Sequence, residues 1–244
     1  LKDKQDKIRG FVVTHGHEDH IGGFPYIIPQ LREGIPIYAS KLTAGFIKEK
    51  FKEFHIDPRI LNVVKDRQPI MLGDFEVKMI PVTHSVPDTK HLIVKTPLGN
   101  VYHGSDFKFD WTPVGQELPD IQSMTRAGAE GVVLLLSDCL RSEKNGYSLS
   151  EAIVEDSFER EFRGEDNRVV VTTMSSNISR IQQALWVAKR NNRKVAFVGF
   201  SVERNVKVAT ELGFLSIPPR LIVDKRKMST LPKNEQCLII AGSQ

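Results

Sequence analysis

No apolar run in the 244 residues exceeds the five of Val132–Leu136. A membrane-spanning helix needs roughly 18–20 such residues, so no membrane partner is expected. Cysteine is almost missing: Cys139 and Cys237 stand alone with no Cys-x-x-Cys pair. That excludes a disulfide framework and fits two thiols in a reducing cytoplasm, where the protein is expected to act. There is no glycine-rich phosphate loop ending in Gly-Lys, and no Ser/His/Asp triad is evident. Glycine (17) and proline (13) are too few for a collagen-like or long disordered chain. No charged-then-apolar leader is visible. Because the first residue is Leu1, the natural start is expected to lie upstream.

What the chain does contain is unevenly placed. The net charge of +4 hides a basic C-terminal part: residues 168–244 carry 13 Lys/Arg against 4 Asp/Glu, while residues 1–167 carry 21 against 26. A basic half joined to an acidic half suits a polyanionic partner for the former. A merely solvated basic surface explains the charge equally well.

Patterning divides the chain in a similar place. Ile8–Thr14 reads as a buried strand, Ile21–Leu31 as a helix, Pro36–Ala39 as a strand and Lys41–Phe54 as a helix. Hairpins are expected around Gly73-Asp74 and around Pro97–Asn100, and Val132–Ser137 reads as a buried strand. Beyond it, Ser148 and Glu151 form a capping-box sequence opening a helix to about Phe162. Strands at 168–172, 194–198, 221–223 and 237–241 then alternate with helices at 177–191 and 202–212, the spacing of parallel βαβ units. The expected organisation is α/β, with domains at 1–140 and 141–244 meeting in the polar segment CLRSEKNGY.

The densest chemistry is THGHEDH, residues 14–20. Directly after a predicted strand it places His15, His17, Asp19 and His20 within six residues, with Gly16, Gly22 and Gly23 allowing a crowded backbone. In an extended loop His15 and His17 point to one side, and Asp19 and His20 can face a neighbouring position. Mixed imidazole and carboxylate donors suit a catalytic zinc. His84 in Thr83-His84-Ser85 and Asp106 in Gly104-Ser105-Asp106 each follow another predicted strand and complete the set. His55, His91 and His103 are read as structural.

This pattern resembles the metallo-β-lactamase superfamily. THGHEDHIGG, VTHSVPD and GSDFKFD together resemble the ribonuclease J family within it, and LLLSDCLRSEKNGYSLSE and VVVTTMSSNISRIQQA are similar to its β-CASP insertion. The resemblance implies an αββα sandwich, partial here, carrying a parallel α/β β-CASP domain. It implies two Zn²⁺, one held by His15, His17 and His84, the second by Asp19 and His20, with Asp106 bridging and Asp19 and His20 at the chemistry. Two such ions about 3.5–4 Å apart stabilise both oxygens of an in-line displacement at phosphorus. The expected activity is hydrolysis of single-stranded RNA, endonucleolytic and 5′-to-3′ exonucleolytic, in RNA maturation and decay. The family supplies a further histidine to the second zinc after the insertion, and none follows His103. The chain is therefore expected to be incomplete at both ends, with any homo-oligomer forming through parts outside it.

Other assignments stay open. Asp138 either orients a metal-bound imidazole or caps a strand end. Ser175, Ser176 and Asn177 precede a helix, where they either hold a phosphate or cap it, and Ser243 opens what resembles a substrate-binding loop. Trp186, Phe197, Phe200 and Phe214 fit core positions better than base stacking. The family commonly has histidine at Ser179 and Ser-Thr at Cys139-Leu140. Competing readings are a DNA-acting β-CASP nuclease, a glyoxalase-like thioesterase of the same fold, and a non-catalytic RNA-binding scaffold.

Overall fold

The structure, a computed structural model, describes residues 2–65 and 67–241. It divides into two compact units: Leu1–Trp111 with Glu117–Ser148, and Thr112–Gln116 with Leu149–Gln244.

The first unit runs, in chain order, through Phe11–Val13 (β1), Glu18–Ile21 (α1), Phe24–Ile27 (α2), Ile37–Ala39 (β2), Lys41–Glu53 (α3) and Leu61–Val63 (β3). It continues with Ile70–Leu72 (β4), Phe75–Pro81 (β5), Lys90–Thr96 (β6), Gly99–His103 (β7), Ile121–Ala129 (α4) and Leu134–Leu136 (β8). β1, β2 and β3 form a parallel sheet in that order; β4 to β8 form a second, mostly antiparallel sheet. Period-2 alternation assigns the faces of β5 and β6. Val77, Met79 and Leu92 pack with Val12 of β1 and Tyr38 of β2, so the two sheets face each other. Ile80 and Ile93 point the other way, onto Ala127 and Met124 of α4. α3 contacts β2 and β3 and buries Leu42, Phe46, Ile47 and Phe51. The layers are thus helix, sheet, sheet, helix. Both expected hairpins are present, and Gly73 takes the left-handed φ of 63° that the tight turn from β4 to β5 requires.

Two expectations for this unit fail, and two of its elements were not expected. The helix expected over 21–31 is broken into α1, α2 and a 3₁₀ turn at Ile28–Gln30. Gly22 and Gly23 sit at the first break, and Pro29 lacks the N–H that an α-helix would need. Val132–Ser137 is a strand only over 134–136 and is not buried: Val133 and Leu135 are 65% and 63% exposed, because β8 lies at the sheet edge. β3 and α4 were not anticipated; both are short, three and nine residues.

The second unit comprises Ile153–Phe162 (α5), Val169–Thr173 (β9), Ile178–Arg190 (α6), Lys194–Val198 (β10), Phe200–Leu212 (α7) and Gln236–Ala241 (β11). Its sheet is wholly parallel in the order β10-β11-β9. Cys237, fully buried on the central strand, has its thiol pushed up to about 12 by burial. The capping box at Ser148/Glu151 does not form. The Ser150 hydroxyl accepts from Ala152 N–H, Glu151 pairs with Arg180 at 2.8 Å, and the helix starts at Ile153. The strand expected over 221–223 reduces to one parallel bridge, Val195 with Ile222.

Candidate metal centre

β1 ends at Val13, and the chain turns sharply through Thr14–His17 into α1. His15 is fully buried and His17 nearly so. Gly16 has no room for a side chain, since a Cβ there would meet the Phe46 ring at 2.6 Å; Gly22 is confined likewise, 2.5 Å from the Glu18 carbonyl oxygen. Glu18 in turn is tied to Lys50 of α3 at 2.6 Å. The loop is therefore wedged between β1 and α3. Two further loops reach the same place: His84 follows β5, and Asp106 follows β7.

One donor atom from each of His15, His17, His84 and Asp106 lies within 4.8 Å of all the others. His17 Nδ1 is 3.2 Å from His15 Nε2 and 3.2 Å from His84 Nε2. Asp106 Oδ2 is 3.7 Å from His15 Nε2 and 3.8 Å from His84 Nε2. A tetrahedral ion bound at about 2.0–2.1 Å holds neighbouring donors roughly 3.3 Å apart. Four of the six donor pairs lie at 3.2–3.8 Å, close to that spacing, and the chemistry of the donors suits a metal ion.

The rings are held for the purpose. The Ser105 hydroxyl donates to Thr14 Oγ1 at 2.9 Å, and Thr14 Oγ1 lies 3.1 Å from His15 Nδ1. This arrangement suits the tautomer with its hydrogen on Nδ1 and its lone pair on Nε2, facing the cluster. Ser85 Oγ is 3.0 Å from His17 Nε2, leaving Nδ1 to face the cluster. Burial, reinforced by the neighbouring imidazoles, holds His15 at a pKa of about 2; burial and the His84 ring hold His17 at about 4. His84 is also lowered by burial, against the opposing pull of Asp106 and Asp138. At neutral pH these imidazoles are uncharged and can donate lone pairs. Thr14, Ser85 and Ser105 were not singled out from the sequence, although each adjoins a candidate ligand. Ser105 also takes φ 47°, a strained value for a non-glycine residue that turns the chain back toward β1.

Asp19 and His20 adjoin this set, the His20 ring centroid 3.9 Å from that of His15. His20 Nε2 is 3.5 Å from Asp106 Oδ2 and 3.8 Å from Asp19 Oδ2, and the Asp19 side chain is 78% exposed. A single carboxylate oxygen thus touches both groups of donors. Asp138 follows β8 and accepts Leu140 N–H at 2.8 Å, the strand-end role, while its charge also reaches His84.

Residues 1–129 match the family described as beta-lactamase superfamily domain, and residues 166–244 match ribonuclease J, beta-CASP domain. The chain belongs to the β-lactamase superfamily. Over its whole length it is 37% identical to ribonuclease J of Helicobacter pylori strain J99 and 37% identical to ribonuclease J of Thermus thermophilus. It spans 35% and 44% of those two proteins, respectively. A crystal structure of a protein of unknown function from Enterococcus faecalis V583 superimposes with a TM-score of 0.64 at 15% identity, over 96% of this chain and 58% of that one, which shows the fold alone.

In the part that matches the β-CASP domain, the polar groups before α6 are largely engaged. Asn177 is the N-cap, its side chain accepting Arg180 N–H at 3.0 Å. Ser175 Oγ accepts from Asn205 at 3.1 Å, and Ser176 is buried. Ser179 is buried as well. Its hydroxyl donates to the Val114 carbonyl at 2.8 Å and accepts from Gln116 at 3.0 Å, which spends it on the segment Thr112–Gln116. Ser243 lies outside the described residues.

Proposed function

We propose that this chain is the metal-binding and β-CASP part of a zinc-dependent ribonuclease that hydrolyses phosphodiester bonds of single-stranded RNA, both internally and from the 5′ end. The observation that carries the reading is the convergence of His15, His17, His84 and Asp106 at ligand spacing in a chain that matches the ribonuclease J β-CASP domain over residues 166–244. The basic composition of residues 168–244 supports a polyanionic substrate.

His15, His17 and His84 would hold one ion, Asp19 and His20 would contribute to a second, and Asp106 would face both. When bound, zinc supplies Lewis acidity, stabilising negative charge that builds on oxygen during displacement at phosphorus. The chain's own residues do the rest. Thr14 and Ser85 fix the direction of two imidazoles, and burial keeps all three of the closest rings neutral. Asp19, exposed at the rim, would orient the attacking water and accept its proton. We assign the protein to the cytoplasm and to RNA maturation and decay.

Metal analysis combined with cleavage of labelled RNA, DNA and a thioester tests this. Metal-dependent cleavage of RNA is expected. Metal-dependent turnover of the thioester or of DNA alone would overturn the reading, as would RNA binding without cleavage by the metal-loaded protein.

A further inference from the structure

Residues 107–111, FKFDW, run directly on from Asp106. Their backbone is pinned to the loop that carries His84. Lys108 N–H donates to the Thr83 carbonyl at 2.8 Å, Asp110 N–H donates to Thr83 Oγ1 at 3.1 Å, and the Thr83 hydroxyl donates to the Lys108 carbonyl. Asp110 is buried. The aromatic residues take alternate positions. Phe107 packs edge-on against His91 with centroids 5.1 Å apart, and Phe109 follows at 5.0 Å. Trp111 lies 6.3 Å beyond, its plane within 12° of the Phe109 ring. The ladder opens outward: Phe107 is half-buried, Phe109 is 45% exposed and Trp111 60% exposed.

A single exposed apolar side chain needs no explanation. Three rings in register, on a backbone clamped beside two candidate metal ligands, do. Parallel exposed rings offer flat π-faces that any base can stack on, and the clamped backbone leaves little entropy to lose on binding. Five residues of fully extended chain span at most about 18 Å, so Trp111 lies within that distance of Asp106. We infer that Phe109 and Trp111 form a stacking platform for unpaired bases of the RNA strand whose phosphodiester is cut at the histidine–aspartate cluster. The platform reads no sequence, because stacking uses a face that every base has. It favours single strands, whose bases are free to splay onto it. This inference rests on the ribonuclease reading above.

The test is steady-state cleavage of a ten-nucleotide single-stranded RNA, and of the same RNA with abasic residues flanking the cut site, by the zinc-loaded protein. Trp111→Ala is expected to raise KM roughly five- to a hundredfold, the size of one lost base stack at about 1.4 kcal/mol per tenfold, with kcat changed less than about threefold. Trp111→Phe should restore most of the affinity. The abasic substitution should raise KM for the parent but add little to Trp111→Ala. Equal KM for parent and Trp111→Ala, or an equal abasic penalty in both, overturns the platform while leaving the ribonuclease reading intact. Failure of the zinc-loaded parent to cleave either RNA sinks the ribonuclease reading, and the platform with it. The Trp111 side chain is mostly in solvent, so the unfolding midpoints of the variants should match the parent; a large drop would mean the ring is packed against polypeptide rather than available to a base.

Discussion

The imidazoles of this chain separate into two kinds, and acid should distinguish them. His91 is not among the candidate ligands: it is buried, its Nδ1 2.7 Å from the Tyr102 hydroxyl, and burial holds its pKa at about 4. Above pH 6.5 it is neutral folded or unfolded. Between 6.5 and about 4 the unfolded chain takes up a proton that the native one refuses, so stability falls as pH falls through that window. The loss is about 3 kcal/mol at about 1.4 per pKa unit. Urea unfolding at stepped pH should show a shallower decline for His91→Phe than for the parent, and identical slopes would refute this assignment. His17 belongs to the other kind. His17→Ala removes the atom at the centre of the donor set and should lower metal affinity and cleavage at least about a hundredfold. Ser85→Ala, which only frees that ring to turn, should cost on the order of tenfold. Isothermal titration with Zn²⁺ reads both, and equal affinities for His17→Ala and parent would exclude the cluster.

At the scale of elements, the histidine loop is shaped by α3 as much as by its own residues. Gly16→Ala would drive a methyl into the Phe46 ring, which is buried and cannot retreat. Overpacking of this kind costs about 1–3 kcal/mol. The unfolding midpoint should drop, zinc affinity should fall with it, and Phe46→Leu should restore both; a Gly16→Ala protein that bound zinc like the parent would show the wedge to be slack. The ligand loop was legible in the sequence because its chemistry is local: four donor side chains within six residues announce themselves whatever surrounds them. His84 and Asp106 were legible only as strand-end residues beside that loop. The supports were not, because a threonine or serine hydroxyl shows its use only when a partner from elsewhere, such as Ser105 over Thr14, is known. Misreadings were of the same origin. Ser148 and Glu151 have capping-box spacing, but Arg180 from α6 takes the glutamate, a tertiary pairing that no local pattern contains.

On the scale of the molecule, the largest departure from expectation is β8. Five apolar residues read as interior, yet among the described residues the strand has one hydrogen-bonded neighbour, β7, and its side chains meet solvent. An open edge with apolar residues on both faces is a template for pairing between molecules. The 244-residue chain should therefore self-associate as its concentration rises, and Leu135→Lys should suppress this without altering zinc binding. Sedimentation velocity over a concentration series checks it; a parent chain monomeric throughout would contradict the expectation.

The second sheet has its own consequence, in the order of synthesis. β9 and β10 are made first but do not pair with each other; the strand between them, β11, is made last of the three. Its residues 236–241 pair with 169–173 on one side and 194–198 on the other. Until Gln236–Ala241 has left the ribosome, β9 lacks its strand partner and β10 has only the single bridge to Ile222, so α6 and α7 have no completed sheet to rest on. The sheet of this half can then not be completed piecemeal as it emerges. Its folding waits for a single late event, a long-range closure of the slow kind. Ribosomes stalled before residue 236 should display a nascent β-CASP segment open to proteases along its whole length.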